Sequence, residues 1–425
     1  MPAQQLTSYR RQTINSIFIG IDFGTSYTKV SYSYAPTQTP QIETIKWENE
    51  NDPLFKQTIL YVQNGRLYFD KPAGDNREVK YFKYSIIEKR LKNNVELTKN
   101  SFEEMCCVYY LAHILSRALK KIQENLHIAN LNELRISVNM GVPLENFYKE
   151  ENKNNKGMYQ DILENAILLA GGCKVSAILP QNQVLISNFD SVYTEMQNKK
   201  AKLKDNWFVN VYPELAAELL LYHKSKFVAD GVYAIIDIGG GTVDMALFQK
   251  LTSFSTKNPN MYCLAQKVLP YGIEILQKAP DTISSLKFKQ EFSTMITESK
   301  NYLDVNYENY KKIDVFFLGG GANNTWYLNN ILNMYYEFKL ERYNIPKFVT
   351  RSIDAFIHPE DSLIIKNQRL IISQMLARHR DEIENVKGFP DFYKQELKER
   401  PSFSDSSDDK SWGDFFDGPG AKYRD

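Results

Sequence analysis

Apolar and polar positions alternate through IFIGIDFGTSYTKVSYSY, residues 17–34, on both sides of a short break of small residues. The period of two predicts paired strands over 17–20 and 30–34, with Asp22 and the Gly24-Thr25-Ser26 cluster on the connecting turn. TILYVQNGRLYFD, residues 58–70, predicts a second hairpin, because Asn64-Gly65 supplies the positive-φ residues a tight turn needs. From about residue 102 to 126 the apolar spacing lengthens to three and four, so YYLAHILSRALKKI marks a long helix. ELRISVNMGVP reads as a buried strand stopped by Pro143, and MYQDILENAILLAGG as a helix stopped by glycines. YTEMQNKKAKLKDNW is polar and basic without interleaved aromatics, the pattern of a solvated insertion.

About two hundred residues after the first hairpin its device returns. VYAIIDIGGGTVDMALF, residues 232–248, is again strand, aspartate, glycine-rich turn and strand. Repetition on that scale predicts two similar lobes, each presenting a turn to a shared cleft. KIDVFFLGGGANNTWYLNNIL then predicts a buried strand, three glycines and a helix, an arrangement in which backbone N–H groups approach a ligand closely.

Composition narrows the field. The 52 basic and 51 acidic residues of the 425-residue chain nearly cancel, which gives no bulk field for nucleic acid or an anionic membrane. Four cysteines without metal-ligand spacing and five scattered histidines argue against a zinc site and for a reducing compartment. The polar first residues and the lack of any long apolar run lead to the expectation of a soluble, cytoplasmic protein.

Facing turns of this kind suit a polyphosphate. Gly24-Thr25-Ser26 and Gly239-Gly240-Gly241-Thr242 can aim main-chain N–H groups at an anion, with hydroxyls beside them. Asp22 and Asp237 would repel a bare phosphate, so the pattern calls for a bridging cation. Magnesium, which keeps most of its waters and needs only one or two carboxylates, fits. A lone DxGT is equally a plain hairpin turn, whereas three glycines in a strand context are costly without a close-approaching partner.

GIDFGTSYTKV resembles the first phosphate loop of the actin and heat-shock-70 superfamily of ATPases, AIIDIGGGTVDMALF its second, and VFFLGGGANN its adenosine loop. The resemblance runs in order over roughly residues 16–380 and leans to the heat-shock-70 branch, through Tyr27 and the GGGT-Val-Asp form. It implies an α/β fold of the two-lobed actin-like type, duplicated ribonuclease-H-like lobes around a nucleotide cleft. The expected bounds are a loose N-terminus at 1–15, lobe I at 16–210, lobe II at 211–357, a helix returning to lobe I at 358–380 and a tail at 381–425. It also implies binding of ATP or ADP with Mg2+, and slow hydrolysis.

By the same resemblance Asp22 and Asp237 would surround hydrated magnesium, Asp237 also orienting water. Gly24, Thr25, Ser26, Tyr27, Gly239, Gly240, Gly241 and Thr242 would hold phosphate oxygens. EVKYFKYSIIEKRL is similar to the segment carrying the family's catalytic lysine, placing Lys83 by the γ-phosphate; the other reading is a surface cation beside Lys80. NVYPELAAELLLY departs from the family's Glu-Pro order, so Glu214, after Pro213, is the candidate for positioning water or metal, or else simply a helix-start carboxylate. Gly319, Gly320 and Gly321 would face adenosine. Asn323 stands where the family has an arginine, and Lys300 in MITESKNYL would lie near the ribose.

Only about seventy residues separate the second phosphate loop from the adenosine loop, which implies a reduced upper part of lobe II. After RLIISQMLARH no apolar linker or peptide-binding β-domain follows. A Ser/Asp-rich tail does, with Trp412, Phe415 and Phe416 among aspartates. That tail reads either as a disordered end or, over 401–425, as a peptide that binds a protein partner. Three function classes follow: a nucleotide-dependent switch on a protein partner, a self-assembling filament former of the actin type, and a sugar or acetate kinase.

Overall fold

The alternation of residues 17–34 becomes, in the computed structural model, a hairpin of β1 (Ser16–Phe23) and β2 (Tyr27–Ala35). The structure describes residues 14–35, 41–48, 50–86, 102–143, 153–172, 183–185, 205–224, 229, 231–252, 259–278, 285–302, 312–343, 345–351, 368–383 and 386–388. Both strands run closer to the turn than the alternation predicts. Asp22 therefore sits within β1, opposite Lys29 on β2, and not on the turn itself.

Two short strands, β3 (Gln41–Thr44) and β4 (Lys56–Gln57), extend β2. The hairpin at 58–70 is β5 (Ile59–Gln63) and β6 (Arg66–Tyr68), joined through Asn64 and Gly65 at φ 51° and 71°. β7 (Arg77–Lys80) pairs with β5. The long helix α1 (Phe102–Asn125) buries its apolar stripe, and β8 (Arg135–Val142) runs parallel to β1. α2 (Lys153–Ile167) starts earlier than its apolar period, in polar KNNK, and ends in a π-turn, Leu168–Gly172. β9 (Gln183–Leu185) pairs with β6, closing a four-stranded sheet. β10 (Trp207–Pro213) lies parallel to β8, carrying the first sheet past the expected lobe boundary at 210/211.

The second half starts with α3 (Glu214–Lys224), then β11 (Gly231–Ile238), β12 (Val243–Thr252) and β13 (Pro259–Leu269). Next come α4 (Ile273–Lys278), α5 (Ser285–Tyr302), β14 (Lys312–Leu318), α6 (Thr325–Glu337) and β15 (Lys347–Arg351). The chain returns through α7 (Ile371–Leu376) and α8 (Arg380–Ile383) to β16 (Val386–Gly388).

The fold is mixed α/β. Its larger sheets have the order β10-β8-β1-β2-β3, with β4 beside β2, and β15-β14-β11-β12-β13-β16. In each, the first strand pairs antiparallel with the second and parallel with a later one, which has a further parallel neighbour outside it. β1 and β11 are thus central strands, which is why Ile17, Ile19 and Ile21 and Ile235 and Ile236 are all fully buried.

α7 closes over the first sheet. A Cβ on Gly20 would overlap Ser373 O and Ala377 N, so only glycine lets the helix lie this close. Ser31 and Ser373 share a 2.9 Å hydroxyl hydrogen bond, and Asn139 Nδ2 donates to Leu376 O at 2.7 Å. Expected as tail from 381 onward, the chain instead carries α8 and β16, and β16 pairs parallel with β13. Trp412, Phe415 and Phe416, with the whole 401–425 segment, lie outside the described residues. Among the described residues no helix is long and apolar enough to cross a membrane.

Candidate functional site

Both hairpins close through four residues after their last cross-strand pair. Phe23↔Thr28 is followed inward by Gly24, Thr25, Ser26 and Tyr27, and Ile238↔Val243 by Gly239, Gly240, Gly241 and Thr242. Thr58 clamps the first turn, its amide donating to Ser26 O at 2.9 Å and its hydroxyl to Gly24 O at 2.9 Å. The second is clamped by the start of α4: the amides of Gly272, Ile273 and Glu274 donate to Gly241 O, Gly239 O and Gly240 O at 3.1, 2.9 and 2.9 Å. With those carbonyls engaged and Gly239 N donating to Thr242 O at 2.9 Å, the main-chain N–H groups after Gly239 are what the second turn can offer an anion.

The two turns touch. A Cβ on Gly240 would overlap Ser26 Oγ, a buried hydroxyl with no hydrogen-bond partner. The third glycine turn joins them, Gly321 N donating to Ile238 O at 3.0 Å. Gly319 has φ 77°, and a Cβ there would overlap Asp237 Oδ1. Only glycine brings that turn against the carboxylate without strain. Asn324 then caps α6, accepting from Trp326 N at 2.9 Å.

These turns line one cleft of about 240 Å³. It gathers Asp22, Gly24, Thr25, Ser26, Tyr27, Lys83, Glu214, Asp237, Gly239, Gly240, Thr242, Gly319 and Gly320 from the sequence reading. Three expected residues stand apart from its wall. Gly241 is buried behind Thr25 and Tyr84, Gly321 is buried against Ile238, and Asn323 is exposed. Lys300 falls in the last turn of α5, but its side chain lies outside the described residues.

The two readings of Lys83 separate cleanly in space. Lys80 is exposed and pairs with exposed Glu78 at 2.6 Å. Lys83 is 2% exposed, donates to Phe23 O, and reaches Glu214 Oε1 at 2.8 Å.

Around it collect more carboxylates than cations. Asp22 is held by Lys29 at 2.7 Å and Glu214 by Lys83, but among the described residues Glu218, Asp237 and Asp244 form no ion pair with a lysine. Burial, and then the charge of Glu214 and of Asp22, push the Asp237 carboxyl up to about 7. Burial raises Glu214 too, against the pull of Lys83. Glu218 and Asp244 are raised further, by burial first and neighbouring carboxylates second. Thr242 Oγ1 donates to Asp244 Oδ2 at 3.1 Å, while Asp244 Oδ1 and Glu218 Oε2 are buried without partners.

A cation would relieve this crowding. Among the described residues no three acidic, histidine or cysteine side chains converge as direct ligands. The donor set instead suits an ion that keeps its waters and uses one or two carboxylates, as magnesium does.

Lys29, Glu218, Asp244, Glu274 and Arg369 were not singled out in the sequence. Glu218 had a signal, since it follows Glu214 by four residues and so shares its helix face. Glu274 accepts from the Tyr81 hydroxyl at 2.6 Å, and Tyr81 holds φ 62°, a conformation no sequence pattern announces.

No protein-family model matches the chain, and no curated protein matches it.

Proposed function

We propose that this chain is a magnesium-dependent ATPase of the actin and heat-shock-70 superfamily, working as a nucleotide-dependent switch on a protein partner. In this reading the two large sheets are the cores of two actin-like lobes, and the cleft between their hairpin turns takes ATP. One observation carries the reading: three glycine turns from separate parts of the chain, at Gly24, Gly239 and Gly319, line a single cleft with two strand-end aspartates. A plain hairpin turn gives no reason for such convergence, nor for the orphaned hydroxyl of Ser26 where two turns meet.

The residues take roles from where they stand. The turns at Gly24–Tyr27 and Gly239–Thr242 would cradle phosphate oxygens. Bound near Asp22 and Asp237, hydrated magnesium would supply charge neutralisation between carboxylates and phosphate. Asp237, at the end of β11 on the cleft wall, is placed to orient an attacking water. Lys83 is held in place by Phe23 O and Glu214, and supplies the positive charge for the γ-phosphoryl oxygens. Glu214 fixes Lys83 and is the second candidate for water positioning.

The partner is proposed to engage the 401–425 tail, and cytoplasmic location remains part of the reading. Phosphate release from ATP with no added acceptor tests the activity. Release supports an ATPase, and transfer only to an added sugar or acetate would replace it with a kinase. Sedimentation with and without ATP separates the switch from self-assembly: a nucleotide-independent monomer supports the switch, and ATP-driven polymers would overturn it.

A further inference from the structure

We propose that Glu218 is a third carboxylate of the cation position in the cleft, accepting hydrogen bonds from the waters of the magnesium that accompanies the phosphates. The inference rests on the nucleotide reading above. It adds to Asp22 and Asp237 a residue that lies outside all three glycine turns.

Glu218 stands on α3 one helical turn after Glu214, and both line the cleft. Residues four apart share a helix face, so the two carboxyls leave α3 on the same side. Their circumstances differ. Glu214 accepts from Lys83 at 2.8 Å, whereas Glu218 is 2% exposed and its Oε2 has no hydrogen-bond partner among the described residues. The helix offers a donor one turn further on, the Tyr222 hydroxyl, yet that group is also buried without a hydrogen-bond partner. The Glu218 carboxyl is thus not reaching along α3, and it belongs to the cleft wall. α3 packs against β12, which carries Asp244. After burial, the charges that bear on Glu218 most are those of Asp237 and then Asp244.

An unsatisfied buried oxygen works against folding, so packing gives no reason for a glutamate here. In the apolar run ELAAELLLY a leucine would fill the place without that cost. What the position offers instead is a spare acceptor near Asp237, in the cleft that would take the phosphates and their cation. Magnesium keeps most of its waters, and each bound water needs an acceptor for its protons. A carboxyl on the cleft wall that the protein does not engage supplies one.

Calorimetry on the full chain, with Glu218→Gln and Glu218→Leu, measures ATP affinity with and without magnesium, and thermal melts follow the ligand-free fold. Glu218→Gln should cut the magnesium-dependent gain in ATP affinity by about 10-fold, the scale of a hydrogen bond to a charged group, and leave magnesium-free binding unchanged. Glu218→Leu should cut it at least as far. It should also raise the ligand-free melting temperature by a few degrees, since it removes a carboxyl that the fold does not use. A glutamate with a structural role would behave otherwise. Unchanged magnesium coupling, equal losses with and without magnesium, or a Glu218→Leu chain that melts lower or fails to fold would each overturn the assignment and leave the nucleotide reading standing. An unmodified chain that binds no ATP, or binds it indifferently to magnesium, overturns both.

Discussion

In the first hairpin the aspartate before the turn, Asp22, faces Lys29 across the strand pair and is held by it at 2.7 Å. In the second, Asp237 occupies the matching position but faces Asp244. Strand pairing, turn length and the place of the aspartate are the same, and the cross-strand partner has the opposite charge. The first hairpin therefore carries its own counter-ion. The second sets carboxylate against carboxylate, and burial, then Glu214 and Asp22, push Asp237 up to about 7. One hairpin pairs its aspartate with a lysine, and the other sets its aspartate opposite a second carboxylate.

The largest effect expected from that difference is on turnover. Asp237→Asn should slow single-turnover hydrolysis by about 100-fold or more while changing ATP affinity by several-fold at most. Lys83→Ala should match it, because both act on the transition state. Equal losses in binding and rate would remove Asp237 from water orientation and make the two aspartates equivalent.

Next in size is Lys29→Met, which makes the first hairpin resemble the second. Asp22 would be left buried without its ammonium, at a cost of about 2–4 kcal/mol in urea unfolding of the ligand-free chain. That is below the full cost of breaking a wholly buried pair, because the Lys29 side chain keeps 14% exposure. Pairing the change with Asp22→Asn should recover most of the loss. Failure to recover would show that Lys29 acts through packing.

Gly319→Ala should cost about 1–3 kcal/mol, since alanine must adopt φ 77° and its methyl meets the Asp237 carboxylate. The loss should shrink in the Asp237→Gly background, where that carboxylate is gone. An unchanged melting temperature for the single variant would mean that the third turn relaxes away from the second hairpin.

The comparison also predicts a pH dependence of the ligand-free fold. Between the ordinary aspartate range and about 7, folded Asp237 keeps a proton that the unfolded chain has released. Stability therefore falls as pH rises through that window, by a few degrees in melting temperature. Glu214→Gln removes the neighbouring carboxylate that raises Asp237 most and should flatten the slope. A slope of the opposite sign would contradict the charge deficit assigned to the second hairpin.

How far the sequence could be read follows from the range of each signal. Asp237, Gly239, Gly240 and Gly319 were legible because glycines inside strand patterns are costly unless another group comes close. Asp22 was legible as a residue, but its place in the strand was not, since alternation fades at small residues near a turn. Lys83 could be found, but only burial separates it from Lys80. Lys29 was missed because a lysine on an alternating strand looks like a solvent-facing residue, and only pairing register sets it opposite Asp22. Arg369 reaches the cleft from a distant segment through contacts with Phe55 and Tyr27, which no local pattern encodes.

Calorimetric titration of the unmodified chain with ATP, with and without magnesium, tests the central claim most directly. The account predicts one ATP per chain, bound markedly more tightly when magnesium is present, because the second hairpin lacks a cation of its own. No heat of binding in either condition, or binding indifferent to magnesium, would contradict it.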